Sequence, residues 1–422
     1  MPQIPNLRWW IAGLLAVATA LNYLDRQSFP VVVKVVQNDI PITDRQYSAL
    51  QAAFLLAYGL MYAGGGRIVD RLGTRLGYTI IILWWSIATF LHGLASSVLG
   101  LGIFRFLLGL GEGGAFPGSA KAVSEWFPPS ERAMAFGMFN TGSSVGAVVA
   151  PPLIALLIVT FGNWRWVFFA TGLFGILWAI LWWKIYAVPS RHSWITPREW
   201  SFLESSILPS EPPPRYREFF RYSPVWGLMA AKFLTDSAWF FLIFWLPRYL
   251  AGVRGLNIRQ IGSYAWIPYA FAGVGSLSGG ALSSLLVRRG FSLNFARKLP
   301  LGMSAALMPI SLWIASAPLA FAIVFFSVAL FGHQFWSTIV QTLAADFFSP
   351  KSVGSIAGLM GAVGSFGAML FNLLAGVLLG YLHHYASVFL IVGFLHPVSF
   401  LILLWSARNI RRLDTASTSS VA

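Results

Sequence analysis

Twelve times along this chain, a run of about twenty or more mostly apolar residues appears between charges or turn residues, and that recurrence limits what the chain can become. The runs begin near Trp9, Tyr47, Gly77, Leu99, Ala133, Arg165, Pro224, Gln260, Leu299, Pro318, Val353 and Ser387. In a bilayer core no water is at hand to satisfy an open backbone, so segments of this length span as helices. Only 10% of the 422 residues are charged, against about 25% in soluble domains. The sequence therefore predicts an all-α integral membrane protein with twelve transmembrane helices.

The net charge of +15 would, in a soluble chain, suggest nucleic acid or another acidic partner. Here the basic residues lie mainly in short links, so the charge reads as topology and no nucleic-acid partner is expected. With twelve spans both termini share a side. Nineteen of the 29 basic residues fall in links on that side, against five opposite (Arg45, Arg165, Arg248, Arg254, Arg259), which places both termini in the cytoplasm. The first run passes into Asn22, Tyr23, Asp25 and Arg26 without a small-residue cleavage site, so it is expected to be retained. No cysteine is present, which excludes disulfides and thiolate metal sites.

The longest link, about Val188 to Ser223, divides the spans six and six. The expected parts are a bundle over 1–187, a linker over 188–223, a bundle over 224–407 and a tail over 408–422. Thr196, Pro197 and Glu199 make a capping box with proline at the first helical position, predicting a short surface helix. Pro209, Pro212, Pro213 and Pro214 then predict an extended linker, a wholly disordered link being the alternative. At an offset of 221 residues, WFPPSERAMAFGMFNTGSSVGA from Trp126 falls on FFSPKSVGSIAGLMGAVGSFGA from Phe347, so the halves read as related six-helix bundles. The same offset sets Glu112 on His333, and these two titratable residues are expected to face each other across a pseudo-two-fold axis.

Charges inside such spans are costly and mark function by default. Asp25 lies about 24 Å beyond Trp9, while Arg105 and Glu112 lie about 9 and 20 Å from the outer end of the fourth span. An Arg105 to Asp25 pair at similar depth is the natural arrangement. It leaves Arg26 to meet a substrate carboxylate through two parallel hydrogen bonds, and Glu112 to hold a proton.

Lys232 and Asp236 are four apart and form a same-face pair, either structural or in contact with substrate or a gate. Gln334, Trp336, Ser365 and Asn372 are candidates for contact with a hydroxylated solute, with ordinary packing the rival reading for Trp336. Lys121 and Glu125 read as an i, i+4 pair forming an inner gate or anchor, which Asp70, Arg71, Glu131 and Arg132 could join. GSSVG near Gly142 lacks the strand-to-helix elbow of a serine nucleophile, and neither HExxH nor a Walker loop occurs. No enzyme activity, cofactor or metal is expected.

GRIVDRLGTRLG, with Asp70, Arg71 and Arg75 in a tight glycine-rich turn, resembles the signature of the major facilitator superfamily. Arg105-x-x-x-Gly109-x-Gly111 and the glycine-rich fifth span ending in Pro151 and Pro152 resemble it too. The match covers nearly the whole chain and implies two pseudo-symmetric six-helix bundles working by alternating access. NYLDR from Asn22, RFLLGLGEGGAFPG from Arg105, EWFPPSERA from Glu125, NWRWVF from Asn163 and KFLTDSAWFFLIFWLP from Lys232 resemble the anion:cation symporter branch, the last most like bacterial hexuronate transporters. The resemblance implies proton-coupled uptake of a sugar acid by a monomer in the bacterial inner membrane. It carries substrate roles onto Tyr23, Arg26, Tyr58 and Arg105, and proton roles onto Asp25 and Glu112, with His333 added by the internal repeat. Another organic anion such as an aldonate, glucarate or tartrate, exchange in place of symport, and a non-transporting receptor are the rival expectations.

Overall fold

The computed structural model describes residues 3–206, 216–348, 350–382, 384–411 and 413. Apolar composition gives helices here because only a helix satisfies its backbone within one segment in lipid. In chain order they are α1 (Leu7–Val36), α2 (Asp44–Leu72), α3 (Thr74–His92), α4 (Val98–Glu112), α5 (Ala115–Trp126), α6 (Pro129–Phe161), α7 (Arg165–Ile185), α8 (Pro197–Ser206), α9 (Tyr216–Phe219), α10 (Ser223–Gly252), α11 (Ile258–Tyr264), α12 (Trp266–Arg288), α13 (Leu293–Leu307), α14 (Leu319–Phe347), α15 (Pro350–Leu382) and α16 (Ala386–Ser406). No strand forms among the described residues, only an isolated parallel bridge between Ile4 and Ile195.

Among the described residues eleven stretches are long and apolar enough to cross a bilayer, counting α4 with α5 and α11 with α12 as one each. The ninth expected span, near Leu299, differs. It is the 15-residue α13 continued by a 3-10 segment, Met308–Trp313, with Pro300 and Pro309 along it. A 3-10 turn rises about 2.0 Å per residue against 1.5 Å, so the two pieces still reach roughly 34 Å, enough for a core of about 30 Å. The protein is a multi-pass integral membrane protein. Large apolar side chains such as Leu173, Leu177, Leu401 and Trp405 stay exposed along these helices, as lipid contact requires.

The chain forms two compact units. One comprises Met1–Ile42, Ala53–Pro209 and Pro247–Trp266; the other comprises Thr43–Ala52, Ser210–Leu246 and Ile267–Ala422. In the first, α1 lies along α6 at Gly142 and Gly146, where an added Cβ would stand 2.0 Å from the Ala16 carbonyl oxygen and 2.2 Å from that of Ala20. Small residues four apart on both helices let the backbones touch, which is how helices associate where lipid removes the hydrophobic drive. Gly146→Val is expected to cost about 1–3 kcal/mol or more, read as a lower midpoint of thermal unfolding in detergent; an unchanged midpoint would refute the close contact.

The predicted surface helix is α8. Thr196 Oγ1 accepts from the Glu199 amide at 3.2 Å. The Glu199 carboxylate does not close the capping box. It accepts instead from the Leu7 and Arg8 amides at 2.8 and 3.1 Å and so caps α1, while Arg8 also bonds Glu131 at 2.9 Å. The proline-rich linker from Pro209 to Pro214 lies outside the described residues.

Beyond α1, Asp39 accepts from the Trp164 indole at 2.9 Å and from Arg165 at 2.8 Å. Those two donors hold its carboxyl below the ordinary value. A lowered folded pKa means that the contribution is complete above the ordinary carboxylate range and is lost as pH falls through the lowered value. Asp39→Asn should therefore unfold earlier than the parent at pH 7, with the gap closing below about pH 4; a gap constant with pH would remove the carboxylate from this role.

In the second unit the core is built by Leu228 of α10, Leu301 of α13, Trp336, Val340 and Leu343 of α14, and Leu403 of α16.

Candidate functional site

Adjacent residues on a helix point about 100° apart, and α1 uses this to aim Asp25 and Arg26 at different neighbours. Both are 1% exposed. Arg26 Nε donates to Glu112 Oε2 of α4 at 2.8 Å and Nη2 donates to Asn22 Oδ1 at 3.0 Å. The guanidinium carbon stands 4.5 Å from the Tyr23 ring centroid, 4.7 Å from that of Tyr58 and 5.6 Å from that of Phe54. Glu112 Oε1 has no hydrogen-bond partner among the described residues. Arg105, fully buried, lies over Phe54 at 4.6 Å and Phe29 at 5.4 Å. α4 comes this close to α2 because Gly109 and Gly113 present no Cβ to the carbonyl oxygens of Phe54 and Tyr58.

This corrects the expected pairing. Among the described residues neither oxygen of Asp25 has a hydrogen-bond donor, so the Arg105 to Asp25 pair is not made, and the arginine expected to await substrate, Arg26, holds Glu112. The reason is rotational. Similar depth brings two residues to one level, but the helix's orientation decides which partner each faces. Asp25 turns toward Thr171 of α7 and Thr89 and Trp85 of α3, without closing to hydrogen-bond geometry.

In the second unit Lys232 and Asp236 form the predicted pair at 2.7 Å. His333 is buried with its Nδ1 3.1 Å from Nε2 of His396 and its ring stacked on Trp239 at 4.8 Å. Sequence reasoning missed His396 and Trp239. The signal for His396 was present, an ionisable residue within a run as apolar as α16. Gln334 is half-buried. The other sugar-contact candidates have different tasks: Trp336 is fully buried in the core, Ser365 Oγ donates to the Gly361 carbonyl at 2.8 Å, and Asn372 holds the Trp245 indole at 3.0 Å while its amide donates to Ala368.

The expected Lys121 to Glu125 pair is also replaced. Lys121 bonds Asp70 at 3.0 Å, and Glu125 accepts from Thr74 at 2.8 Å and from the Tyr186 hydroxyl. Arg75 donates to the Trp183 carbonyl and lies over its ring at 4.6 Å, and Arg132 closes onto the carbonyls of Phe127 and Ser124. Arg71 is exposed. Lys121, Glu125, Arg75 and Arg132 thus find partners on another helix or at a carbonyl rather than in the i, i+4 pair. Among the described residues no group of three or more His, Asp or Glu could hold a metal ion.

The site is thus a buried arginine shared between a carboxylate and two tyrosine faces, the donor geometry that a planar carboxylate ligand needs. Residues 15–338 match the Major Facilitator Superfamily. The chain is 32% identical over 386 residues to the hexuronate transporter of Escherichia coli K12, covering 90% of this chain and 89% of that one. It is 28% identical to the D-galactonate transporter of Escherichia coli O6:H1, covering 96% and 97%. In fold it is similar to a crystal structure of a bacterial homolog of the human lysosomal transporter Spinster, with TM-score 0.72 and 20% identity over 96% of each chain.

Proposed function

The chain belongs to the Major Facilitator Superfamily, a family of membrane transporters and not of enzymes, and from that premise we propose that it imports a hexuronate such as glucuronate or galacturonate together with protons. The observation that supports this reading is the buried Arg26 to Glu112 pair. A sugar acid's carboxylate and Glu112 compete for the same guanidinium. When Glu112 takes up a proton it stops competing, Arg26 turns to the substrate, and proton and anion load together. Tyr23 and Tyr58 offer ring faces and hydroxyls beside the carboxylate, and Arg105 lends a second positive charge.

In this reading the protein is a monomer in the bacterial inner membrane with both termini cytoplasmic. Its bundles, 1–187 and 224–407, are joined by the 188–223 linker, which leads the 408–422 tail by one bundle, and they alternate access. Asp25 and His333 serve the proton, and the Lys121 to Asp70 and Arg8 to Glu131 bonds belong to its gate. The likeness to the D-galactonate transporter favours an aldonate as a second reading. Uptake of labelled glucuronate, galacturonate and galactonate into proteoliposomes under an imposed inward proton gradient decides between them. Gradient-dependent accumulation of a uronate is expected, whereas uptake of galactonate alone would replace the substrate assignment.

A further inference from the structure

At the 221-residue offset of the internal repeat, α7 (Arg165–Ile185) falls residue for residue on α16 (Ala386–Ser406). Leu7, which opens α1, falls on Leu228 of α10, a helix that begins about a turn and a half earlier. One corner of each unit therefore corresponds to one of the other. In the first unit the chain leaving α7 returns to the start of α1, where Ile195 bridges to Ile4 and the Glu199 carboxylate accepts from the Leu7 and Arg8 amides. An acid so placed satisfies amides that a helix start leaves open. Arg8 adds a guanidinium bond to the same carboxylate at 2.8 Å.

The second unit brings the same two helices together, at Gly227 of α10, where an added Cβ would stand 1.8 Å from Ser406 Oγ of α16. No acid follows. Between the start of α10 and the chain leaving α16 lies instead a cavity of about 430 Å³, with Ser223, Trp405, Arg408, Asn409 and Arg411 in its wall, a size within the range of about 300–1,000 Å³ usual for small-molecule sites. None of the described residues lining it is acidic, and the first turn of α10 carries no acid of its own. The wall is fixed in place. Lys298 Nζ donates to the Arg408 carbonyl at 2.6 Å, the Ile410 amide to Asn294 Oδ1 at 3.0 Å and the Leu413 amide to the Phe347 carbonyl at 2.9 Å. Arg408 and Arg411 are exposed, and the ion pairs among the described residues all use other bases.

We propose that this cavity binds the phosphate of an anionic phospholipid, in the corner that the Glu199 carboxylate fills in the first unit. Two guanidinium forks match the oxygens of a phosphate, and Ser223 and Asn409 add neutral donors beside them. Trp405 makes the anion a lipid's rather than a free one. It stands in the cavity wall yet is 71% exposed, and Leu401, one turn back on α16, is 64% exposed, so the cavity opens beside a helix face that meets acyl chains. The side of the membrane that carries both chain ends is the cytoplasmic one in the reading above, and the anionic lipids of that leaflet are drawn to basic pockets. A lipid seated there ties the start of α10 to the end of α16.

Native mass spectrometry of the full chain, offered phosphatidylglycerol and phosphatidylcholine in equal amounts, counts what stays bound. The parent should keep one phosphatidylglycerol. Arg408→Gln combined with Arg411→Gln should weaken it about thirtyfold, the worth of two basic residues at a membrane surface. Arg288→Gln combined with Arg289→Gln, which alters exposed bases at the end of α12 outside the cavity, should leave it unchanged. Since all four arginines are exposed, both double variants should unfold at the parent's midpoint in phosphatidylcholine nanodiscs. Added phosphatidylglycerol should then raise the midpoint of the parent and of the α12 variant but not that of Arg408→Gln with Arg411→Gln. Equal weakening in the two variants would mean attraction to a basic face as a whole and overturn the site. Phosphatidylcholine kept as firmly would overturn recognition of the anion. Inorganic phosphate that displaces the lipid and stays in its place would make this a site for the free ion, and a parent that keeps no lipid would mean that the corner is filled from within the chain; either overturns the proposal.

Discussion

Arg26→Ala is expected to reduce uptake by at least about a hundredfold, the scale of truncating one partner of a buried, hydrogen-bonded charge pair. The loss has two origins. The substrate loses its carboxylate partner, and Glu112 is left as a buried charge whose attraction to Arg26 no longer offsets its desolvation, which costs about 3–5 kcal/mol of stability. A second variant separates them. Arg26→Met together with Glu112→Gln removes both charges and should regain most of the unfolding midpoint, since buried pairs replaced by neutral groups are often as stable. It should not regain transport. Uptake by Arg26→Ala within twofold of the parent, with normal midpoint, would remove Arg26 from the substrate site.

The second large effect is on coupling. Glu112→Gln keeps an oxygen for Arg26 to bond while removing the titrating group, so counterflow of substrate should persist. With one proton per monoanion, a gradient of one pH unit supports about tenfold accumulation. In the variant the ratio should fall to about one, measured as internal against external label at steady state. Accumulation that still follows the gradient would take Glu112 out of the proton path and leave Asp25 as its sole carboxylate.

The spans, their number and the short helix α8 were legible in the sequence because run length, periodicity and capping residues are local properties. So was the Lys232 to Asp236 pair, since both members sit on one helix at a fixed spacing. The misses share a cause of another kind. Glu199 met the local rule for a capping box, yet its carboxylate caps α1, where unpaired amides compete for it. Lys121 and Glu125 met the i, i+4 rule, yet Asp70, Thr74 and Tyr186 outbid the local partner. Arg26 was read against depth alone, and depth is one coordinate of three. Which helix a side chain faces depends on how neighbours rotate and how closely they approach, as the glycines of α4 show against α2.

The make-up of the two units has a consequence for biosynthesis. The first unit takes Pro247–Trp266 from the second half of the chain, where Gly262 of α11 lies against Pro151 and Ala155 of α6. A nascent chain that has released only its first six spans therefore still lacks a wall of its own first unit. At about 5–20 residues per second, roughly four to sixteen seconds pass between the end of the sixth span and the synthesis of Trp266. Through that interval the α6 surface that will receive α11 faces lipid or the insertion machinery, which makes the order of synthesis part of how this protein reaches its fold.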